Sequence, residues 1–223
     1  MHRTQRAFVL TVALLAILCC LPAGAVALQR DVITVGTVTA VSGIVDVPVY
    51  IQDLSGTPLG LDQPPGSRIQ SYSIKVTYSP ASAVSSISFN RAGITAPLTP
   101  LSEFTPASAG AISLLDTFQE STNLVPYTLN GAVPGNQVAN LHVLLSPTVT
   151  AGTVITLTLD STLTQLANEN GTAKETTALN TLSLVPGSIT VPVGFVYDVP
   201  ALSSWALILL AASLAVIAIR MRG

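Results

Sequence analysis

The last 25 residues contain the feature that most restricts how this chain can fold, an 18-residue stretch without charge at about 202–219. As a helix rising about 1.5 Å per residue, this stretch reaches roughly 27 Å, close to the bilayer hydrocarbon core of about 30 Å. Trp205 lies where an interfacial aromatic is expected, and Arg220 and Arg222 follow the stretch, in agreement with the positive-inside rule. The pattern predicts a single C-terminal transmembrane helix whose carboxyl end is cytoplasmic. A permanent anchor and a processed sorting signal are both compatible with it.

The first 27 residues have the three-part organisation of a secretory signal peptide. A basic start precedes an apolar segment over residues 7–21, and Pro22 then breaks the helix. Two small-x-small sites follow, so we expect cleavage after Ala25 or Ala27. This predicts an N-terminal signal helix, residues 1–27, and export through the Sec translocon. An uncleaved signal anchor is the alternative; lipidation at Cys19 is disfavoured because the two residues before it are bulky.

The cysteines and the charges of the middle region exclude several classes of protein. Both cysteines, Cys19 and Cys20, lie in the predicted signal, so the mature chain has no thiol for a disulfide, a metal site or a nucleophile. The exported region contains all eleven acidic residues, from Asp31 to Asp198, but only five basic residues, which gives it a net charge of −6. A sparse acidic surface argues against binding nucleic acid.

Residues 28–191 have the hydrophobic periodicity of β-strands. Apolar and polar residues alternate over 45–51, 72–78, 139–145 and 154–159, and further short strands are expected at 33–35, 36–41, 87–89, 111–115 and 187–191. Seven to nine short strands with Gly and Pro between them predict an all-β antiparallel sandwich of the jelly-roll type. Pro48 is expected at an edge strand or a bulge. Residues 192–200 then form a linker.

The expected connections are rich in proline and glycine. Residues 53–67 are predicted to be a loop, and Gly93 to Gly110, with four prolines and little periodicity, is predicted to be a flexible excursion from the domain. Residues 163–166 are expected to form a helical turn before a loop at 168–171.

No motif in the middle region predicts catalysis. The single mature histidine, His142, alternates with core residues and is expected to point outward or into a polar patch. A Ser-His-Asp triad would have to use it, yet no Gly-x-Ser-x-Gly elbow is present. The acidic residues are interpreted as solvated loop residues, with no carboxylate pair singled out. We therefore expect no enzyme activity.

Ligand-binding patterns are weak. Four residues could offer oxygen ligands to calcium, but their spacing does not match a calcium loop, and a turn is favoured; they are Asp160, Asn168, Glu169 and Asn170. We therefore expect no cofactor. The only tryptophan, Trp205, is in the tail, and no stripe of Tyr or Trp is evident, which weakens an interpretation as a specific polysaccharide-binding protein.

The tail resembles the IPTL variety of bacterial PEP-CTERM-type sorting signals over residues 199–223. These signals have the form Ile-Pro-Thr-Leu-Ser-x-Trp before an apolar helix and a basic end. Four residues match in register, Pro200, Leu202, Ser203 and Trp205, whereas Val199 replaces Ile and Ala201 replaces Thr. The resemblance implies recognition by an exosortase, a membrane-embedded protease or transpeptidase, with Arg220 and Arg222 as the basic end.

The middle region resembles the cohesin-like, carbohydrate-binding-module-like sandwich of bacterial surface proteins. Four passages in order carry the resemblance: 35–49 with its Val-Pro-Val strand, 72–80 ending in Tyr-Ser-Pro, Ala-Gly-Thr at 151–153, and 187–191. The resemblance implies a non-catalytic binding or structural module. Ser79 stands where the family has Asp, so no binding residue is carried over.

These features together predict an exported bacterial protein. It would be held transiently in the inner membrane and then displayed at the cell surface or in the extracellular matrix, where it would bind polysaccharide or another surface protein. The alternatives are a carbohydrate-binding accessory module of a polysaccharide-handling system and a permanently membrane-anchored surface protein.

Overall fold

The computed structural model describes residues 29–195, which form fourteen strands and two short 3-10 turns at Ala81–Ala83 and Gly93–Thr95. The strands are β1 (Asp31–Val35), β2 (Thr37–Thr39), β3 (Ile44–Gln52), β4 (Ser71–Ser79), β5 (Val84–Arg91), β6 (Ser102–Phe104), β7 (Ala107–Ser108), β8 (Ala111–Thr117), β9 (Asn136–Leu145), β10 (Val154–Leu159), β11 (Gln165–Ala167), β12 (Lys174–Glu175), β13 (Leu182–Val185) and β14 (Gly187–Thr190). Within this range no helix is long and apolar enough to cross a membrane.

Two sheets pack face to face, which confirms the predicted all-β sandwich. The five-stranded sheet has the order β13-β1-β3-β9-β5. The nine-stranded sheet follows β12-β11-β4-β10-β14-β2, with β8 pairing β4 and with β6 and β7 pairing β8. Every second residue of β3, β4 and β9 is buried between the sheets, as the alternation predicts. The predicted signal helix and transmembrane helix lie outside the described residues.

Both terminal strands cross from one sheet to the other, which the sequence analysis did not anticipate. β1 and β2 are separated only by Gly36, and β13 and β14 only by Pro186. β1 pairs β13 and β2 pairs β14, each in parallel, whereas the other strand pairs are antiparallel. The expectation of a purely antiparallel sandwich was therefore wrong at these two pairs. Each crossing segment contributes one strand to each sheet. This is one reason why the structure has fourteen strands and not the seven to nine expected.

The crossing is a close approach of backbones that only small residues allow. A Cβ added to Gly187 would overlap the Gly36 carbonyl oxygen, and one added to Gly36 would lie 2.9 Å from the Pro48 ring. Gly36 donates to the Pro48 carbonyl at 2.8 Å, and its own carbonyl accepts from Ser188 at 3.3 Å. Pro48 lacks an N–H, so it leaves the Gly36 carbonyl free for the second sheet. Pro48 therefore lies inside the sheet and not at an edge, although the pairing with β9 is irregular next to it, at Val49/Tyr50.

Residues 93–110 are paired with the domain, contrary to the predicted flexible excursion. β6 and β7 form antiparallel pairs with β8, and the Thr95 side chain is fully buried, with its hydroxyl donating to the Val138 carbonyl. Arg91 holds the segment from β5, because its guanidinium donates to Glu103 at 2.6 Å and to the carbonyls of Thr95 and Leu98. The prolines led to a loop prediction for a segment that contains two very short strands, β6 and β7.

The helical turn expected at 163–166 is also absent. The Asp160 carboxylate accepts from the backbone N–H groups of Thr162 at 2.9 Å and Leu163 at 3.2 Å, which closes a turn. The chain then enters β11, where Gln165 pairs with Ser73 of β4. The hydrogen bonds to the Asp160 carboxylate, and not helix propensity, therefore determine the conformation of this segment.

The strand directions separate two ends of the sandwich. The exit end contains the turns at 40–43, 79–83, 109–110 and 146–153 together with residues 191–195, and the loop end contains 53–70, 118–135 and 168–181. Because β1–β2 and β13–β14 run in parallel, the described chain begins at the loop end and stops at the exit end. Phe195 packs against the core, so the last described residue is still part of the domain.

Candidate functional site

The outer face of the nine-stranded sheet carries a row of side chains formed by four neighbouring strands. Phe104 of β6 lies opposite Leu115 of β8, which lies opposite Ser73 of β4, which lies opposite Gln165 of β11. Directly opposed residues share one face of a sheet. The row therefore crosses the sheet at right angles to its strands.

Large apolar side chains at one end of this row are exposed. Phe104 is 65% exposed and Leu115 is 37% exposed. Leu101, also exposed, donates its backbone N–H to the Thr117 carbonyl at 2.7 Å and so lies beside them. We call Leu101, Phe104 and Leu115 the apolar patch. Phe104 belongs to the short β6 strand, which the Arg91–Glu103 ion pair holds in place.

The next row on the same face is polar. Lys75 Nζ lies 3.5 Å from Asp160 Oδ2, and both side chains are about one quarter exposed. Hydrogen bonds from the Thr162 side chain and backbone, together with nearby Lys75, hold the pKa of Asp160 below its usual range. Ser113 lies opposite Lys75 on β8, and Thr77 lies two residues further along β4 on the same face. The face thus joins an exposed apolar patch to a surface of hydroxyl groups and one ion pair.

The loop end contains a second arrangement, three fully buried carboxyl groups that hold the loop at 53–67. Asp31 accepts the N–H of Leu54 at 2.8 Å and Glu175 accepts that of Leu59 at 2.8 Å. Asp53 likewise accepts the N–H of Leu61 at 3.0 Å. These three bonds, from β1, β12 and the end of β3, fix a long loop against the core, with Leu59 fully buried beneath it.

Burial changes the ionisation of two of these carboxyl groups, Asp31 and Glu175. Asp31 Oδ2 and Glu175 Oε2 are both buried without a hydrogen-bond partner among the described contacts. Burial, and then the neighbouring Glu175 charge, raises the pKa of Asp31 to about 9. Asp31 therefore keeps its proton near neutral pH, which avoids a buried charge without a partner. These carboxyl groups therefore stabilise the position of the loop at 53–67.

A further buried carboxyl lies under the apolar patch. Tyr72 donates its hydroxyl to Asp116 at 2.8 Å between the sheets. Burial raises the pKa of Asp116 to about 6, although the Tyr72 hydrogen bond opposes this rise. Burial and the nearby carboxylates of Asp53, Asp31 and Asp116 likewise raise the pKa of Tyr127.

The expectation that the acidic residues are solvated was wrong for Asp31, Asp53, Asp116 and Glu175, which are all fully buried. The sequence did contain a signal for two of them. Asp31 has the same phase as Ile33 and Val35, and Asp116 the same phase as Ile112 and Leu114, so strict alternation would have placed both inside.

His142 points outward, as predicted. Its Nδ1 lies 2.8 Å from Asp46 Oδ1 on the outer face of the five-stranded sheet. Ser88 lies opposite His142 on β5, so the three residue types of a triad share one row. The Ser88 hydroxyl makes no hydrogen bond to His142 among the described contacts, and the row lies on an open face whose backbone N–H groups are used by the sheet. It therefore lacks the oxyanion-binding donors that acyl transfer requires.

Three of the four residues considered for calcium form hydrogen bonds with other protein groups. Asn168 is buried and bonds to Gly66 and Thr172, and Glu169 accepts the backbone N–H of Glu120 at 2.8 Å. Asp160 caps its own turn, and Asn170 is exposed in the following loop. Among residues 29–195, no group of three or more His, Cys, Asp or Glu side chains is arranged to hold a metal ion.

The sorting-signal residues predicted from the sequence lie outside the described residues. They are Val199, Pro200, Ala201, Leu202, Ser203, Trp205, Arg220 and Arg222. The predicted cleavage positions Ala25 and Ala27 also lie outside that range.

Comparison with known proteins matches the two parts of the chain separately. The IPTL-CTERM motif model matches residues 199–223. The sandwich is similar to CaCohA2 of Clostridium acetobutylicum, solved in complex with a variant of CaDoc0917, at 25% identity and a TM-score of 0.50. That alignment covers 73% of this chain and 99% of CaCohA2.

Two further solved cohesins have the same fold at lower identity. The sixth cohesin of Acetivibrio cellulolyticus scaffoldin B, in complex with the Cel5 dockerin, is 15% identical with a TM-score of 0.52. The cohesin of the Clostridium thermocellum Coh-OlpA-Doc918 complex is 15% identical with a TM-score of 0.50. Each alignment covers 73% of this chain and 99% of the other. No curated protein matches the sequence. The chain thus has a cohesin-like β-sandwich and ends in an IPTL-CTERM motif.

Proposed function

We propose that this chain is an exported, non-catalytic module that binds another surface protein through the outer face of its nine-stranded sheet. The apolar patch carries the proposal, because Phe104 and Leu115 lie side by side and exposed on a flat face. The structures that it resembles were solved as complexes of cohesins with dockerins. A partner for this face is a protein that presents an apolar side chain to the patch and hydrogen-bonding groups to the Ser and Thr residues beside it.

The size of the patch fits a binding hot spot. Burying one Leu or Phe side chain is worth about 1.5–3 kcal/mol, and a few such side chains dominate typical interfaces. The neighbouring Lys75–Asp160 pair would then lie at the rim, where it affects partner choice more than affinity. The fold and this surface both favour binding over chemistry.

Delivery to the surface is the second part of the proposal. The predicted signal peptide would direct export, and the IPTL-CTERM motif would direct the C-terminus to an exosortase-type enzyme in the membrane. Residues 202–219 would cross the inner membrane until that enzyme acts near 199–205. The module would then remain at the cell surface or in the extracellular matrix.

The binding surface can be tested by photocrosslinking in the native envelope. A benzophenone amino acid replaces Phe104 in one strain and Leu179, an exposed residue at the loop end, in a matched control. We expect a discrete crosslinked protein from position 104 and none of the same mass from 179. Once the partner is identified, Phe104→Ser should weaken its binding about 10- to 100-fold, whereas Leu179→Ser should leave it unchanged. Equal crosslinking from both positions would contradict the proposal.

The carbohydrate-binding alternative has a distinct outcome. Among the described residues, Phe104 is the only aromatic side chain that is largely exposed, and sugar binding usually employs several. If the purified domain bound a polysaccharide, and if Phe104→Ser and Leu115→Ser left that binding intact, the function would lie in glycan binding at another surface.

A further inference from the structure

The exit end of the sandwich has no charge. Its turns and strand ends consist of small, hydroxyl and aliphatic residues, with no Asp, Glu, Lys, Arg or His in 39–44, 79–84, 107–111, 144–154 or 190–195. The nearest charged or titratable side chains on β3 and β9 are Asp46 and His142, which lie two residues inside the strand ends at Ile44 and Leu144 and contact each other. Turns of soluble domains are normally polar and charged, so this asymmetry distinguishes one end of the molecule.

The same end exposes aliphatic side chains. Val41 and Val193 are each 92% exposed, and Ile44 and Val154 are also exposed. The register brings the segments of Val41, Val154 and Val193 together, because Ala40 donates to the Thr190 carbonyl at 2.8 Å and Val154 pairs with Thr190. Ile44 begins β3 of the other sheet at the same end. Four exposed aliphatic residues at one uncharged end form a surface suited to an apolar or interfacial environment.

The chain leaves the domain at this end on a short tether. Phe195 packs against the core and donates its N–H to the Pro192 carbonyl at 3.1 Å. Six residues, 196–201, separate it from the predicted span at 202–219. Fully extended they reach at most about 20 Å, and the interfacial layer of a bilayer takes up about 5–7 Å of that distance. An inserted tail therefore keeps the exit end next to the membrane.

We infer that the exit end rests on the extracytoplasmic surface of the lipid bilayer, with Val41 and Val193 in the interface, while the tail is inserted. This inference rests on the proposed membrane insertion of residues 202–219. The sandwich then stands upright, with its loop end directed away from the membrane and the outer face of the nine-stranded sheet accessible from the side. An uncharged end allows this contact, because buried or interfacial charges are costly near lipid.

The test uses the full chain in nanodiscs of phosphatidylethanolamine and phosphatidylglycerol. Cys19 and Cys20 are changed to Ser, so that one introduced thiol is the only one present. Val41→Cys and Val193→Cys are labelled with an environment-sensitive fluorophore, and Leu179→Cys at the loop end is the matched control. Nitroxide-headgroup lipids, which quench the fluorophore on contact, are included in one set of nanodiscs and omitted from another. Size-exclusion chromatography reports whether the chain stays with the nanodiscs.

We expect the labels at 41 and 193 to lose most of their fluorescence in nitroxide nanodiscs and the label at 179 to lose none. If the chain co-elutes with the nanodiscs but all three labels are equally unquenched, the inference is wrong and membrane insertion stands. If the chain does not co-elute, both are wrong. A last outcome would also overturn the inference. If the labels at 41 and 193 report an apolar environment only when two copies share a nanodisc, and nitroxide lipid does not quench them, this surface contacts a second copy of the chain.

Discussion

Replacing Asp31 by asparagine should remove a pH dependence of folding that the buried carboxyl pair creates. The introduced side chain is isosteric and neutral: its oxygen can still accept the Leu54 N–H, and it places no charge beside Glu175. In the wild type, Asp31 keeps its proton in the folded state up to a pKa of about 9 but loses it near 3.8 when unfolded. The folded state therefore binds more protons between these values, and its stability falls as the pH rises.

The size of the effect follows from the same values. Each pH unit within the window lowers the free energy of unfolding by up to about 1.4 kcal/mol through this one group. From pH 5 to pH 8 we expect a loss of about 2–4 kcal/mol that Asp31→Asn does not show. The variant should resemble the wild type below about pH 4, where Asp31 is protonated in both the folded and the unfolded wild type, and should exceed it in stability at pH 8. The buried Asp53 and Asp116 titrate in both proteins, so the difference between the two reports on Asp31 together with its neighbour Glu175.

The measurement is urea unfolding of residues 28–195 followed by far-UV circular dichroism at pH 5, 6, 7 and 8. Asp62→Asn is the matched control, because Asp62 lies in the same loop but is exposed. It should reproduce the pH dependence of the wild type. Hydrogen exchange at the Leu54, Leu59 and Leu61 amides reports whether the loop stays fastened. If Asp31→Asn and the wild type lose stability in parallel from pH 5 to pH 8, Asp31 does not keep its proton in the folded state.

Two further substitutions test the core. Gly187→Ala should destabilise the fold by about 2–4 kcal/mol in urea unfolding, because the added Cβ would meet the Gly36 carbonyl where the strands cross. The control, Ser188→Ala, should change stability little. If both substitutions destabilised the fold equally, this account of the crossing would be wrong. Tyr72→Phe should cost about 1–3 kcal/mol by leaving Asp116 without its donor. That cost should be larger at pH 8 than at pH 5, since the pKa of Asp116 is about 6, and a cost that does not change with pH would show that the hydroxyl does not serve the ionised carboxylate.

The strands with regular alternation could be predicted from the sequence. β3, β4, β9 and β10 were placed correctly because their apolar residues recur at every second position and face one core. The signal peptide and the C-terminal span were proposed from charge and hydropathy, and the sorting signal from the resemblance of residues 199–205 to the IPTL pattern, which the family model matches over 199–223.

The remaining features depend on long-range partners that local patterns do not reveal. Gly36 is an ordinary strand glycine until Gly187, 151 positions later, approaches it across the two sheets. β6 is too short to have a period, and only the Arg91–Glu103 pair and β8 place it. Asp31 follows the strand phase, but its burial depends on Glu175 and the Leu54 N–H. The apolar patch was missed for the same reason, since Phe104 and Leu115 are eleven residues apart.

The central claim is that both apolar ends deliver a cohesin-like binding module to the cell surface. Intact-mass spectrometry of the protein from wild-type cells and from cells lacking the sorting enzyme tests it most directly. The account predicts that the wild-type protein begins after Ala25 or Ala27 and lacks the segment beyond 199–205, whereas the mutant cells retain the chain to Gly223. A wild-type protein that still carries its complete C-terminus, or that still begins at Met1, would contradict it.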